Sequence, residues 1–233
     1  MCESFWASIF FGVSHLFTAY QVYRKKKYGY HAYLLFLEFY AIMEFFQASQ
    51  WVFGDLMPSS EFGHLDCSVR NRIFTVIAYA LIWIQPVLYS TITEVFYGGF
   101  RYITNSHSRI LSRVTFIWAM TCLLLGFFTT PSYRVPNSNY GLSTCTEIGP
   151  YGHLAWRFAQ NTIKYSPNEF VYVSLVALSF FEYPRNFNWI LGLGWAISMF
   201  ISILMVGTGP DLPAYWCLLS VFVDIPILFD TLS

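Results

Sequence analysis

The stretch HAYLLFLEFYAIMEFFQASQWVF, residues 31–53, decides how this chain is read. It exceeds the roughly 20 apolar residues that cross a bilayer as a helix. It also carries Glu38, Glu44, Gln47 and Gln50 with no Lys or Arg. Working outward, further apolar stretches follow at 4–23, 73–97, 111–129, 167–182, 187–207 and 212–231. The expected fold class is therefore all-α: a polytopic membrane protein, one domain over 1–233, folded as a bundle of seven transmembrane helices. The alternative is a large soluble helical protein with buried helices. A charged fraction of 11% and hydrophilic residues gathered in the connections argue against it. Met1 to Ser14 has no basic leading region and carries Glu3 and Trp6, so it does not read as a cleaved signal peptide.

Orientation follows from the basic residues, which favour the cytoplasmic side. Arg24, Lys25, Lys26 and Lys27 follow the first stretch, Arg101, Arg109 and Arg113 the third, and Arg185 the fifth. Asp55, Glu61, Asp66, Glu147 and Asp211 lie in the other connections, diluted by Arg70, Arg72, Arg134, Arg157 and Lys164. The N-terminus is expected outside and the C-terminus in the cytoplasm. Cys67 and Cys145 then share the outer, oxidising side, where a disulfide is permitted; two free thiols are the alternative. Cys122 and Cys217 read as small packing residues within apolar stretches.

Ionisable groups within a bilayer are costly, which makes each a candidate for function. On a helix, Tyr40, Glu44, Gln47 and Trp51 fall within a sector of about 60°. Glu38 and Gln50 lie off that sector in opposite directions. His15, Glu44, Gln85 and Asp224, on four different stretches, all fall within about 5 Å of the expected midplane at 1.5 Å per residue. Gln85 precedes Pro86, and Asp224 stands two residues before Pro226. Proline frees a backbone carbonyl one turn back, which can line a cavity. These polar groups have a second explanation, as interhelical hydrogen bonds that fix packing. Arg113 stands at the edge of 111–129 and no other Lys or Arg falls in any stretch, so only His15 is available as a cationic partner at depth. A lone buried carboxyl favours its protonated form unless a cation occupies the site. A proton, a metal ion or a cationic ligand therefore fits, and an anion does not.

The outline is rhodopsin-like, but the last stretch has no lysine to hold retinal, so a covalent retinal is not expected and no cofactor is assigned. His31, His64, His107 and His153 lie at or beyond the ends of the stretches, with no His-x-x-x-His pair for zinc. Paired intramembrane histidines for haem and a phosphate-binding Gly loop are likewise missing; Gly192, Gly194 and Ser198 read as a packing face. Pro86-Val-Leu-Tyr-Ser-Thr-Ile aligns with Pro226-Ile-Leu-Phe-Asp-Thr-Leu. Tyr40-Ala-Ile-Met-Glu-Phe aligns with Trp195-Ala-Ile-Ser-Met-Phe. Such matches are what a pair of parallel repeats, as in some transporters, would leave.

Glu44-x-x-Gln47-x-x-Gln50-Trp51, Ile84-Gln85-Pro86 and Gly152-His153-Leu154-Ala155-Trp156 together resemble an uncharacterised seven-helix family of large DNA viruses and some unicellular eukaryotes. The resemblance implies a membrane protein, of host or virion, and supplies no mechanism. The leading functional expectation is a cation- or proton-handling channel or transporter. Its ligand- or ion-binding residues would be His15, Glu38, Tyr40, Glu44, Gln47, Trp51, Gln85 and Asp224, with Glu38 as an inward relay. A receptor-like sensor for a small apolar or cationic ligand is the second expectation and an intramembrane enzyme the third. The expected partners are the lipid bilayer and a proton, cation or small ligand. Nucleic acid is not among them, and the sequence does not fix an oligomeric state.

Overall fold

The computed structural model describes residues 4–27, 30–58, 67–96, 110, 113–118, 120–121, 124, 144–149, 151–157, 169–180, 188–207 and 212–233. Helix α1 spans Phe5–Lys25. Ser4 caps it, its hydroxyl accepting from the Ala7 N–H at 3.3 Å. Lys26 ends it in the left-handed region at φ 47°, with its N–H returned to the Val22 carbonyl. A short connection then reverses the chain into α2, Tyr30–Phe53, which packs antiparallel along α1. Gly12 permits that approach, since a Cβ there would meet the Phe45 ring at 2.9 Å.

After α2 come β1 (Met57–Pro58), α3 (Val69–Phe96), β2 (Cys145–Ile148), β3 (Leu154–Arg157) and α4 (Glu169–Phe180). A π-helical turn, Asn188–Leu193, leads into α5, Gly194–Val206. The last helix is built from α6 (Leu212–Leu219), a 3-10 segment (Ser220–Val223) and α7 (Asp224–Leu232). The tighter 3-10 turn re-phases this helix immediately before Asp224.

The strands form a sheet in the order β1-β2-β3, parallel between β1 and β2 and antiparallel between β2 and β3. Thr146 pairs with Trp156 in the β2–β3 ladder, and Gly152 supplies the positive φ (75°) of the turn between them. The sheet caps the bundle where α2 ends and α3 begins. Gln50 donates to Thr146 Oγ1 at 2.6 Å and accepts from Trp156 Nε1 at 2.9 Å. Asn71 bonds both backbone groups of Thr146 at 2.8 Å, as a neighbouring strand would. Cys67 and Cys145 form a disulfide with Cα atoms 6.1 Å apart, closing the same corner.

The seven-span, all-α bundle expected from the sequence is not supported. Among the described residues two helices are long and apolar enough to cross a membrane, Val69–Leu88 and Tyr215–Leu232; Gly194–Val206 is apolar but shorter. The small sheet was not anticipated either. Length of an apolar stretch was a poor guide because the polar groups within it count against crossing. His15 in α1, and Glu38, Glu44, Gln47 and Gln50 in α2, dilute the hydropathy of otherwise apolar helices. The expected stretch 111–129 and the connection 130–166 fall largely outside the described residues, as do His64 and His107.

Candidate functional site

Small and polar residues recur along one face of α1: Ser8, Gly12, His15, Thr18 and Val22 are all buried. The opposite face exposes Trp6, Phe10, Val13, Phe17 and Tyr20. Helical spacing thus turns the polar face of α1 inward against α2 and α7. α2 buries Tyr40, Glu44 and Gln47, and the last helix buries Cys217, Ser220 and Asp224. The interior consequently holds two adjoining polar groups of side chains.

The first is centred on Glu44. Its side chain is fully buried, and neither carboxyl oxygen has a hydrogen-bond partner among the described residues. Ser8 faces the carboxyl from α1, but no hydrogen bond closes between them. The Cys217 thiol lies within interaction reach of Glu44, Gln47 and Gln85 together. Gln85 is held by the Tyr172 hydroxyl, which donates to its Oε1, while its Nε2 closes no hydrogen bond among the described residues. An acid, two amides and a thiol from α2, α3 and α6 therefore meet in one place. Beside them lies an aromatic wall in which Trp83, Tyr172, Trp216 and Trp195 contact edge to face in sequence.

The second group is centred on His15, also fully buried. Its Nδ1 lies 2.9 Å from Asp224 Oδ1, and Thr18 donates to Asp224 Oδ2 at 3.1 Å. Its Nε2 is 3.5 Å from Ser220 Oγ, and the Tyr40 ring stands 6.0 Å away. The order Asp224–His15–Ser220 is that of a nucleophilic triad. The hydroxyl of Ser220, however, donates to the Cys217 carbonyl, and 3.5 Å is too long for a strong bond to the imidazole. The serine is tied into its own helix rather than poised to attack. That same bond to Cys217 joins the two groups through one helical turn.

Of the residues singled out in the sequence, Glu44, Gln47 and Gln85 come together, and His15, Tyr40 and Asp224 form the neighbouring group. Trp51 is half-buried against the core and is not among the contacts of either group. Glu38 is exposed, on another face of α2. Sequence reasoning missed Ser8, Thr18, Tyr172 and Ser220, and took Cys217 for packing alone. The signal for α1 was present in the polar spacing 8, 15, 18; that for the last helix was present in 217, 220, 224. Among the described residues no cluster of three or more His, Cys, Asp or Glu could hold a metal ion.

A model of a family of unknown function, DUF5765, matches residues 7–232. An uncharacterised protein of Acanthamoeba polyphaga mimivirus is 35% identical over 234 residues, covering 98% of this chain and 94% of that protein. This relative bears out the link to large DNA viruses, whereas the seven-helix description has no support. No solved structure matches the chain. With nearly its whole length matched, the chain belongs to the DUF5765 family.

Proposed function

We propose that this is an integral membrane protein that crosses the bilayer more than once, with α3 and the last helix as crossing segments, and that it handles protons or cations at Glu44. One observation carries the reading: a fully buried carboxyl whose two oxygens are unpartnered among the described residues. No Lys or Arg is among the buried residues described, so none of them balances the carboxyl. A carboxyl in such surroundings is neutral when it binds a proton or a mobile cation, and exchanging either is transport chemistry. The Gln85 Nε2 group, without a hydrogen-bond partner among the described residues, and the nearby Cys217 thiol are the polar groups a transient ion or proton meets next. The membrane reading draws on the polarity of α1, α5 and α7, which is reversed relative to a soluble protein. Buried Ser198, Ser202 and Asp224 stand against exposed Phe200, Leu204 and Phe229, and apolar exteriors of this extent are rare in water.

The test is flux in liposomes loaded with a pH-sensitive dye, driven by a potassium gradient. The wild-type protein is expected to show flux, and Glu44→Gln, which keeps shape and removes the exchangeable charge, to lower it at least tenfold. The fold, read by thermal melting, should survive. Equal flux from the two proteins, or none from the wild type under any cation gradient, overturns the reading.

A further inference from the structure

A groove of about 530 Å³ runs between α1 and the last helix, separate from the Glu44 group. Its walls are apolar, formed by Phe10, Val13, Phe17, Phe222, Ile225 and Leu228. Asp224 and Thr18 reach its lining from the interior. We propose that this groove binds a single-chain amphiphile whose head group donates hydrogen bonds, an alcohol or a primary amine, with the head on Asp224 and the chain along the aromatic walls.

The volume lies within the roughly 300–1,000 Å³ of ordinary ligand pockets. Along α1 the groove extends from Phe10 to Thr18, about 12 Å at 1.5 Å per residue. That shape suits one extended chain better than a compact ligand. The head group is specified by Asp224. It is 5% exposed, and its two oxygens take one contact each from His15 and Thr18. Each carboxyl oxygen has lone-pair capacity beyond the one contact it takes among the described residues, and a hydrogen-bond donor satisfies it. An ether or an ester has no proton to give, and a carboxylate or phosphate head sets its own acceptor oxygens against those of Asp224. Access from the membrane side is direct, because Phe222, Ile225, Phe10 and Phe17 are themselves exposed. The head would sit near one end of the bundle: Asp224 is six residues, about 9 Å, from Asp230, whose carbonyl accepts from Lys27 at 2.8 Å.

The experiment uses the full chain in phosphatidylcholine nanodiscs and dodecanol carrying a diazirine on its chain. Crosslinks are mapped by mass spectrometry. They are expected to concentrate on residues 10–18 and 221–228, and to fall at least tenfold with excess dodecanol or dodecylamine. Methyl dodecyl ether and dodecanoic acid should compete at least tenfold less well. Asp224→Asn should weaken capture about tenfold. Because that change also touches His15, Leu228→Trp serves as a second variant that fills the groove and leaves the carboxylate intact. The proposal is overturned by equal competition from the ether, by labelling spread evenly over the exposed apolar faces, or by wild-type labelling of Leu228→Trp. None of these readouts depends on Glu44, so failure of the flux test and failure of this one are told apart.

Discussion

His153 is the residue whose environment translates most directly into a solution property. It follows the Gly152 turn, is 2% exposed, and meets the Tyr215 ring edge to face with centroids 4.8 Å apart. Burial lowers its pKa from 6.5 to about 4. Its protonated form is therefore disfavoured in the folded state, while the unfolded chain takes up the proton near 6.5. As pH falls from 6.5 towards 4 the unfolded state binds more protons, so stability drops across that window and levels off below about 4. The loss amounts to at most about 3.4 kcal/mol, at 1.36 kcal/mol per unit. Melting temperatures at pH 7 and pH 4.5 check this: the wild type should lose several degrees, and His153→Phe should lose clearly less. A histidine read from sequence as lying outside the bundle thus turns out to help fix the sheet onto it.

At the scale of elements, the contact of α1 with α2 rests on a residue the sequence marks least. Gly12 carries no chemistry, yet a Cβ there would stand 2.9 Å from the Phe45 ring and force α1 away from α2. Gly12→Val is expected to destabilise the fold by about 1–3 kcal/mol, as overpacking does, and thermal melting should show it. A neutral result would mean that Phe45 turns aside freely. The positions of the helices were legible because a run of apolar residues favours a helix whether or not it crosses a membrane. The stripe Tyr40–Glu44–Gln47 was legible because 100° per residue fixes which side chains share a face. That Ser8 and Cys217 neighbour Glu44 was not, since nothing local tells which of several apolar helices lies opposite. Nor was the sheet: β2 reads Cys-Thr-Glu-Ile, too short and too polar to stand out, and it is held by Gln50 and Asn71 from distant helices. Gln50 looked misplaced when only the stripe was considered, and its task proves to be the sheet.

At the scale of the whole molecule, the two ends of α2 differ in chemistry. One end carries the sheet and the Cys67–Cys145 disulfide; the other adjoins Arg24, Lys25, Lys26 and Lys27. The last helix runs between them, from Tyr215 beside His153 to Asp230 beside Lys27, and its 21 residues, Leu212–Leu232, span about 32 Å at 1.5 Å per residue. That distance exceeds the roughly 30 Å hydrocarbon core of a bilayer. A disulfide persists in an oxidising compartment, and clustered basic residues favour the cytoplasmic side. If the bundle crosses the membrane, the two ends face different compartments. The proposal of crossing can thus be tested without any assay of transport. Single cysteines are introduced as Tyr151→Cys in the exposed β2–β3 turn and as Lys25→Cys at the basic end, with Cys2 and Cys122 replaced by serine. An impermeant maleimide applied to intact cells should label the cysteine at 151 and spare the one at 25. Opening the membrane should expose both, while Cys217, buried in the core, stays unlabelled in either condition. Equal labelling of the two sites in intact cells would place both ends on one side. The apolar exterior of α1, α5 and α7 would then require a cover other than a bilayer that the protein crosses.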